Sequence, residues 1–381
     1  MAQAIIVLED GSVFPGEGFG ATGMQVGEVV FNTSMTGYQE LLTDPSYHRQ
    51  IVVSTVSHVG NVGVNTDDPE SDRIWVAGYV VRSYSPVMSN WRARTSLDEY
   101  LRDNNVIGIA EVETRALDRH LRTRGEMRGV IAHGEAAADP QALIEEARRW
   151  PGMDGLDLAK EVTCKVPYAW EETTDVHWYE HAPTTTRISD PRGHIVAYDF
   201  GIKRNILRLL TDRGFRVTVV PATTTAAETL AMKPDGIFLS NGPGDPAAVT
   251  YAIDALRDML GKVPIFGICL GHQLLGLALG GQTQKLLFGH RGSNQPVRDP
   301  ANGAVSITVH NHGFEVIEGT LPPDVEITRS NLNDGCVEGL RCQRLQAFSV
   351  QYHPEAAPGP HDALNLFDEF LAQVEGAHEK R

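Results

Sequence analysis

The second half of the chain alternates short apolar runs with helical segments, and this alternation constrains the fold more than any other feature. Strands are predicted in HIVAYDFG (194–201), FRVTVVPA (215–222), GIFLSN (236–241) and PIFGIC (264–269). A helix-like segment follows each of them, which favours an open, mostly parallel sheet covered by helices on both faces. In such sheets functional sites lie at the carboxyl ends of the strands.

The first part of the chain has a different pattern. Short β-like runs separated by Gly, Pro, Asn and Asp extend to about residue 87, and helical patterns follow at 97–124 and 139–149. At 381 residues the chain is also too long for one typical core. We therefore predict an α/β protein in three parts: a β-rich α+β domain (1–150), a connecting segment and linker (151–190) and an open, mostly parallel α/β domain (191–381).

Composition restricts the possible partners and the compartment. The net charge of −16 argues against binding to nucleic acid or to an anionic membrane, because both require a basic surface. No apolar run reaches 18 residues, and MAQAIIVLEDGS predicts a strand rather than a signal peptide. The four cysteines show no CxxC spacing, which fits reduced thiols. A cytoplasmic protein with no membrane or nucleic-acid partner is expected.

Two segments have a superficial likeness to ligand sites. Residues 18–23 spell GxGxxG, but β-like sequence follows where a dinucleotide site requires a helix. The acidic residues at 67–72 do not have the spacing of an EF-hand loop and are interpreted as a solvated loop. We predict no metal site and no cofactor in this chain.

Cys269 lies at a junction between a predicted strand and a predicted helix, with Gly267 and Gly271 on either side. Such a turn holds a side chain rigidly at the sheet edge, as in the nucleophile elbow of hydrolases. The helix N-terminus that follows favours a thiolate, and the N–H of Leu270 can stabilise an oxyanion. The alternative is a buried structural cysteine, so the hypothesis of a nucleophile requires a base.

A candidate base follows the predicted strand AFSVQY, in the sequence His353-Pro354-Glu355. In an extended segment residues i and i+2 project to the same side, so the carboxylate can accept the imidazole N–H. His272, three residues after the cysteine, more plausibly holds the turn. Cysteine, histidine and glutamate together indicate thiol-dependent acyl transfer.

Three motifs, SNGPGDP (240–246), GICLGHQ (267–273) and HPEA (353–356), together resemble the triad-type (class I) glutamine amidotransferases. Further stretches resemble one family among them, the small subunits of carbamoyl-phosphate synthetase. These stretches include VHNHGF (309–314) and, in the N-terminal part, GEVVFNTSMTGYQELLTDPSY (27–47). The resemblance covers nearly the whole chain.

The resemblance implies a role for individual residues. The Cys269 thiolate would attack the side-chain amide of glutamine, and the N–H groups of Leu270 and Gly242 would hold the oxyanion. His353 would protonate the departing ammonia and then activate water, with Glu355 orienting the imidazole, so that a γ-glutamyl thioester forms. The implied glutamine pocket comprises Gly242, Gly244, Leu270, Gln273, Asn311, Gly313, Phe314 and, from the N-terminal domain, Ser46.

The resemblance also implies a heterodimer with a large ATP-binding synthetase subunit. That subunit would hold ATP and Mg²⁺ and would combine the ammonia with bicarbonate to make carbamoyl phosphate for arginine and pyrimidine biosynthesis. One alternative is the amidotransferase subunit of another synthase, such as anthranilate or GMP synthase, which the domain at 1–150 disfavours. The other is a non-catalytic regulatory subunit, which the presence of Cys269, His353 and Glu355 disfavours.

Overall fold

A computed structural model of the chain describes residues 3–174 and 190–378. It contains two compact units, one formed by Met1–Asp154, Leu286–Ser293 and Ala357–Gly359, the other by Gly155–Lys285, Asn294–Ala356 and Pro360–Arg381. Two short segments of the first unit thus come from late in the sequence. Of the predicted linker, residues 175–189 lie outside the described residues, and the domain boundaries stay a prediction.

The first unit is built on a closed β-barrel with the strand order β1-β2-β6-β5-β4-β3-β7, in which β7 also pairs with β1. The sequence predicts a β-rich domain here, but it does not reveal the closure. The strands are β1 (Gln3–Leu8), β2 (Val13–Gly20), β3 (Gly23–Asn32), β4 (Gln50–Ser54), β5 (Gly78–Val80), β6 (Ile107–Ala110) and β7 (Met127–His133).

Helices of the first unit follow the predicted pattern. Leu97–Asp103 begins at a capping box, in which Ser96 accepts the backbone N–H of Glu99 and Glu99 accepts that of Ser96. The GxGxxG segment joins β2 to β3 with no helix after it, so the geometry of a dinucleotide-binding turn is not formed there. The helices are α1 (Tyr38–Thr43), α2 (Leu97–Asp103), α3 (Thr114–Arg124) and α4 (Pro140–Arg149).

The second unit contains a sheet of ten strands in the order β14-β13-β15-β16-β17-β12-β11-β9-β10-β8. The five strands β17, β12, β11, β9 and β10 run parallel to their neighbours, which confirms the predicted α/β class, and antiparallel strands extend this core. The strands are β8 (Tyr168–Trp170), β9 (Gly193–Asp199), β10 (Phe215–Pro221), β11 (Gly236–Leu239), β12 (Ile265–Ile268), β13 (Thr283–Arg298), β14 (Val305–Val316), β15 (Glu326–Asn331), β16 (Val337–Cys342) and β17 (Ala347–Val350).

Helices pack on both faces of this sheet because successive strand residues point to opposite sides. On β9, Ile195 packs in the same apolar cluster as residues of α6 and α10, whereas Val196 packs with residues of α7, α8 and α9. None of the described helices is long and apolar enough to cross a membrane. The helices are α5 (Ala159–Val162), α6 (Arg204–Asp212), α7 (Ala226–Ala231), α8 (Thr250–Met259), α9 (Leu270–Ala278) and α10 (Asn365–His378).

Candidate active site

Cys269 occupies the turn between β12 and α9 with φ 54° and ψ −106°, a backbone conformation that non-glycine residues rarely adopt. Such strain is typical of functional sites. The flanking glycines make the turn possible. A Cβ on Gly271 would lie 2.3 Å from the carbonyl oxygen of Leu239, and one on Gly267 would lie 2.7 Å from that of Gly271. The two glycines therefore allow β11, β12 and the first turn of α9 to approach closely.

His353 and Glu355 form a buried pair just beyond the end of β17. Nδ1 of His353 lies 2.6 Å from Oε1 of Glu355, and both side chains are almost fully buried. Burial alone would lower the pKa of His353, but the carboxylate of Glu355 and the side chain of Cys269 outweigh it and raise the pKa to about 10. The imidazole is therefore held as an imidazolium at neutral pH.

The two predicted parts of the triad are brought together by neighbouring strands. β12 and β17 are parallel, and the backbone N–H of Cys269 donates to the carbonyl of Val350 at 3.0 Å. The effect of Cys269 on the pKa of His353 indicates that the two side chains are adjacent. Nε2 of His353 makes no hydrogen bond to a described residue, so this nitrogen remains for proton exchange with the thiol or a substrate.

Lys203 is a residue of this site that the sequence analysis missed. Its Nζ lies 3.0 Å from Oε1 of Glu355 and donates to the carbonyl of Ala356 at 2.6 Å. Burial would raise the pKa of Glu355, but Lys203 and His353 lower it to about 2, so the carboxylate stays ionised. Asn205 adds a hydrogen bond of 2.6 Å to the backbone carbonyl of Glu355. A basic residue just after the end of β9 is the only indication of this role in the sequence.

Several residues of the predicted glutamine pocket lie close to Cys269. Its Sγ is 3.6 Å from the carbonyl oxygen of Asn311 on β14. Gln273, in the first turn of α9, donates from Nε2 to the carbonyl of Phe314 at 2.8 Å and to Oε1 of Gln351 at 3.0 Å. These bonds hold the Gln273 side chain against β14, where Gly313 lies between Asn311 and Phe314.

The loop after β11 carries the two predicted pocket glycines. A Cβ on Gly242 would lie 2.1 Å from the carbonyl oxygen of Phe200 and 2.9 Å from Cδ2 of Leu270, so only glycine fits there. Gly244 has φ 97°, in the left-handed region that glycine tolerates. Gly242 and Leu270 are thus near neighbours, as a shared oxyanion site requires.

Two further residues from the sequence analysis have other surroundings. His272 bonds through Nδ1 to Oγ of Ser349 at 2.9 Å, and burial lowers its pKa to about 3, so it is neutral. It joins α9 to β17. Ser46 belongs to the first unit, where it is buried and its N–H donates to Oδ1 of Asp44 at 2.9 Å. Its part in the glutamine pocket stays a prediction.

Comparison with known proteins identifies the family. The model for "Carbamoyl-phosphate synthase small chain, CPSase domain" matches residues 6–131, and that for "Glutamine amidotransferase class-I" matches residues 196–373. The carbamoyl phosphate synthase small chain of Syntrophotalea carbinolica is 54% identical over 98% of both chains. This chain belongs to the carbamoyl-phosphate synthase small chain family.

Other relatives support the same assignment. The carbamoyl phosphate synthase small chain of Escherichia coli O6:H1 is 52% identical over 98% of this chain and 97% of its own. The chloroplastic small chain of Oryza sativa subsp. japonica is 50% identical over 98% of this chain and 82% of its own. A solved GMP synthase protein of Thermoplasma acidophilum is 22% identical, with a TM-score of 0.43 over 49% of this chain and 96% of that one, a likeness that carries no argument.

Proposed function

We propose that this chain hydrolyses glutamine with a catalytic triad of Cys269, His353 and Glu355 and supplies the ammonia for carbamoyl phosphate synthesis. The observation that carries the proposal is the combination of a strained, positive-φ cysteine at a strand-to-helix turn with a buried histidine–carboxylate pair beside it. A nucleophile, a base and a group that orients the base are the parts that covalent acyl transfer requires.

In the first step the Cys269 thiolate attacks the side-chain amide carbon of glutamine. The charge that develops on the amide oxygen is stabilised by the N–H groups of Leu270 and Gly242, which the short approach of these two residues supports. The imidazolium of His353 then donates its Nε2 proton to the departing nitrogen, and the C–N bond breaks. Ammonia and a γ-glutamyl thioester are the products.

In the second step the neutral imidazole of His353 takes a proton from water. The resulting hydroxide attacks the thioester carbon, the C–S bond breaks, and glutamate leaves with the thiolate and imidazolium restored. Glu355 keeps Nδ1 protonated throughout, so that Nε2 is the nitrogen that exchanges protons. Lys203 keeps Glu355 ionised and correctly placed for this task.

The substrate pocket is proposed to lie between the first turn of α9 and the 311–314 stretch of β14. Both amide hydrogens of Gln273 are directed to Phe314 and Gln351, which leaves its Oε1 as an acceptor for the ammonium group of glutamine. The backbone of Asn311 and Gly313 forms the opposite wall. The family resemblance adds Gly244 and Ser46.

The partner is proposed to be the large subunit that the family name implies. We expect it to bind ATP and Mg²⁺, to receive the ammonia and to form carbamoyl phosphate from bicarbonate for arginine and pyrimidine biosynthesis in the cytoplasm. This proposal is supported by the two matched family models, since the first domain distinguishes small chains from other amidotransferases.

The test uses the complex of the full-length chain with the large subunit. Cys269→Ser should abolish carbamoyl phosphate formation from glutamine but preserve formation from ammonia. A diazoketone analogue of glutamine should label Cys269 in the wild type, as located by mass spectrometry of peptides. Cys164→Ser is the matched control, because burial raises the pKa of this half-buried thiol to about 12 and it should not react. Glutamine hydrolysis by Cys269→Ser, or labelling of Cys164, would refute the assignment.

A further inference from the structure

Three buried side chains outside the proposed triad converge in the second unit. His310 and His312 lie on β14, where a spacing of two places their side chains on the same side of the strand, and Glu338 lies on β16. Nδ1 of His310 is 3.1 Å from Nε2 of His312 and 3.7 Å from Oε1 of Glu338. One possible ligand atom from each residue lies within 4.8 Å of the others.

The outer nitrogen of His312 determines where its proton lies. Nδ1 of His312 is 2.9 Å from the carbonyl oxygen of Phe314, which can only accept a hydrogen bond. Nδ1 therefore carries the proton. In the neutral imidazole, Nε2 then presents a lone pair towards His310.

His310 is held in the complementary way. Its outer nitrogen, Nε2, is 2.8 Å from Oγ1 of Thr308, and that hydroxyl donates its single proton to the carbonyl oxygen of Gln295 at 3.0 Å. Thr308 then accepts from Nε2, so the neutral imidazole of His310 has a lone pair on Nδ1. Two lone pairs thus face each other at 3.1 Å, an arrangement that is repulsive unless a cation lies between them.

Glu338 supplies negative charge to the same point. Its Oε1 accepts from Nδ2 of Asn331 at 2.9 Å, and the side chain is completely buried. Burial, together with the nearby carboxylates of Asp334 and Glu315, raises the pKa of Glu338 well above its usual range. An ionised Glu338 at this position therefore requires a positive charge close to it.

We propose that His310, His312 and Glu338 bind a zinc ion. Two imidazoles and one carboxylate form a known zinc ligand set, and donors bound at about 2.0–2.1 Å in a tetrahedral shell lie roughly 3.3 Å apart. The observed separations of 3.1 and 3.7 Å bracket that value. Mg²⁺ and Ca²⁺ prefer all-oxygen sites, so the two nitrogen donors favour a transition metal.

The surroundings match those of established metal sites. Metal-binding histidines usually donate their other ring N–H to an oxygen acceptor, and here Thr308 and Phe314 provide these acceptors. The carbonyl of Phe314 also accepts from Gln273, so the ion fixes the β14 stretch that borders the proposed glutamine pocket. Its role is structural, and it is distinct from the chemistry at Cys269.

The experiment measures zinc in the full-length chain. After incubation with Zn²⁺ alone and removal of the excess, the wild type should retain about one ion per chain and lose it to a strong chelator with a fall in Tm. His310→Gln/Glu338→Gln removes two ligands but leaves amide groups that can hydrogen-bond to each other, and it should retain none. His194→Gln changes a buried histidine elsewhere in the same unit and should bind like the wild type.

Two results would overturn the proposal: a wild type that retains no zinc, or a double variant that retains as much as the wild type. X-ray absorption of the zinc-bound wild type provides a measurement that does not depend on the folding of any variant. It should show imidazole and oxygen donors. Sulfur in the coordination shell would assign the ion to other residues and refute this site.

Discussion

The imidazole of His353 and the carboxylate of Glu355 share a short hydrogen bond of 2.6 Å in a completely buried position. The carboxylate oxygen involved, Oε1, also accepts from Lys203, so one atom connects two cationic groups. A buried carboxylate that is paired on two sides stays ionised and fixes the histidine tautomer. The proposed activity therefore depends on a chain of charges that extends beyond the three residues of the triad.

The first prediction ranks the roles of the two residues. His353→Asn should lower kcat for glutamine hydrolysis by about 10²- to 10⁴-fold, the usual contribution of a general acid–base group. Glu355→Gln should cost less, because the histidine remains and only its orientation and charge are disturbed. Steady-state kinetics of the complex with glutamine provide the measurement, and ammonia-dependent synthesis is the control. Equal losses, or a greater loss for Glu355→Gln, would contradict these roles.

A second prediction concerns alkaline pH. The pKa of His353 is raised from 6.5 to about 10 in the folded protein, so its stabilising charge is fully effective below about pH 6.5 and is lost as the pH rises through about 10. In Glu355→Gln the pKa should fall, because burial then acts without the opposing carboxylate. The difference in unfolding free energy between the wild type and this variant should thus shrink between pH 6.5 and 10. A difference that grows over this range would contradict the pairing.

The third prediction concerns acidic pH and Lys203. The pKa of Glu355 is lowered from 4.5 to about 2, so the pair contributes stability above about pH 4.5 that is lost as the pH falls through about 2. Lys203→Met should raise this pKa and shift the loss to higher pH. Urea unfolding at a series of pH values between 3 and 7 measures the shift. Lys160→Met removes an exposed ion pair to Asp157 and should leave the pH dependence unchanged.

The sequence was sufficient to predict the parts of this site that depend on local geometry. The turn at Cys269 follows from its flanking glycines, and the His353–Glu355 contact follows from the two-residue period of extended chain. Lys203 could not be predicted, because it follows β9, two strands away from the β12 turn, and meets Glu355 only through the strand order of the folded sheet.

The same reason explains two other differences. The closure of the first barrel depends on pairing of β1 with β7, more than a hundred residues later, and short β-like runs do not encode such a partner. The metal ligands proposed above were also missed, since His310 and Glu338 are far apart in sequence and no short motif joins them. Local patterns specify turns and faces, whereas the meeting of distant residues depends on topology.

The last prediction concerns the buried ion pair of Arg291 and Glu126 in the first unit, whose side chains are 2% and 1% exposed. Burial would lower the pKa of Arg291, but Glu126 and Glu28 raise it. The backbone carbonyl of Arg291 also accepts from the N–H of Thr33 at 3.1 Å, so the pair anchors the Leu286–Ser293 segment to the barrel.

Glu126→Gln leaves a buried guanidinium without its counter-charge and should destabilise the first unit by about 3–5 kcal/mol, whereas Arg291→Met with Glu126→Leu should recover most of this loss because neither charge then remains buried. Urea unfolding of the full-length chain measures the effect, with the transition of the first unit treated separately because a two-unit chain need not unfold in two states. Asp254→Asn, which breaks an exposed pair with Arg257, is the control and should change stability by less than about 0.5 kcal/mol. If Glu126→Gln behaves like this control, or the double variant is less stable than the single one, the pair does not anchor the segment.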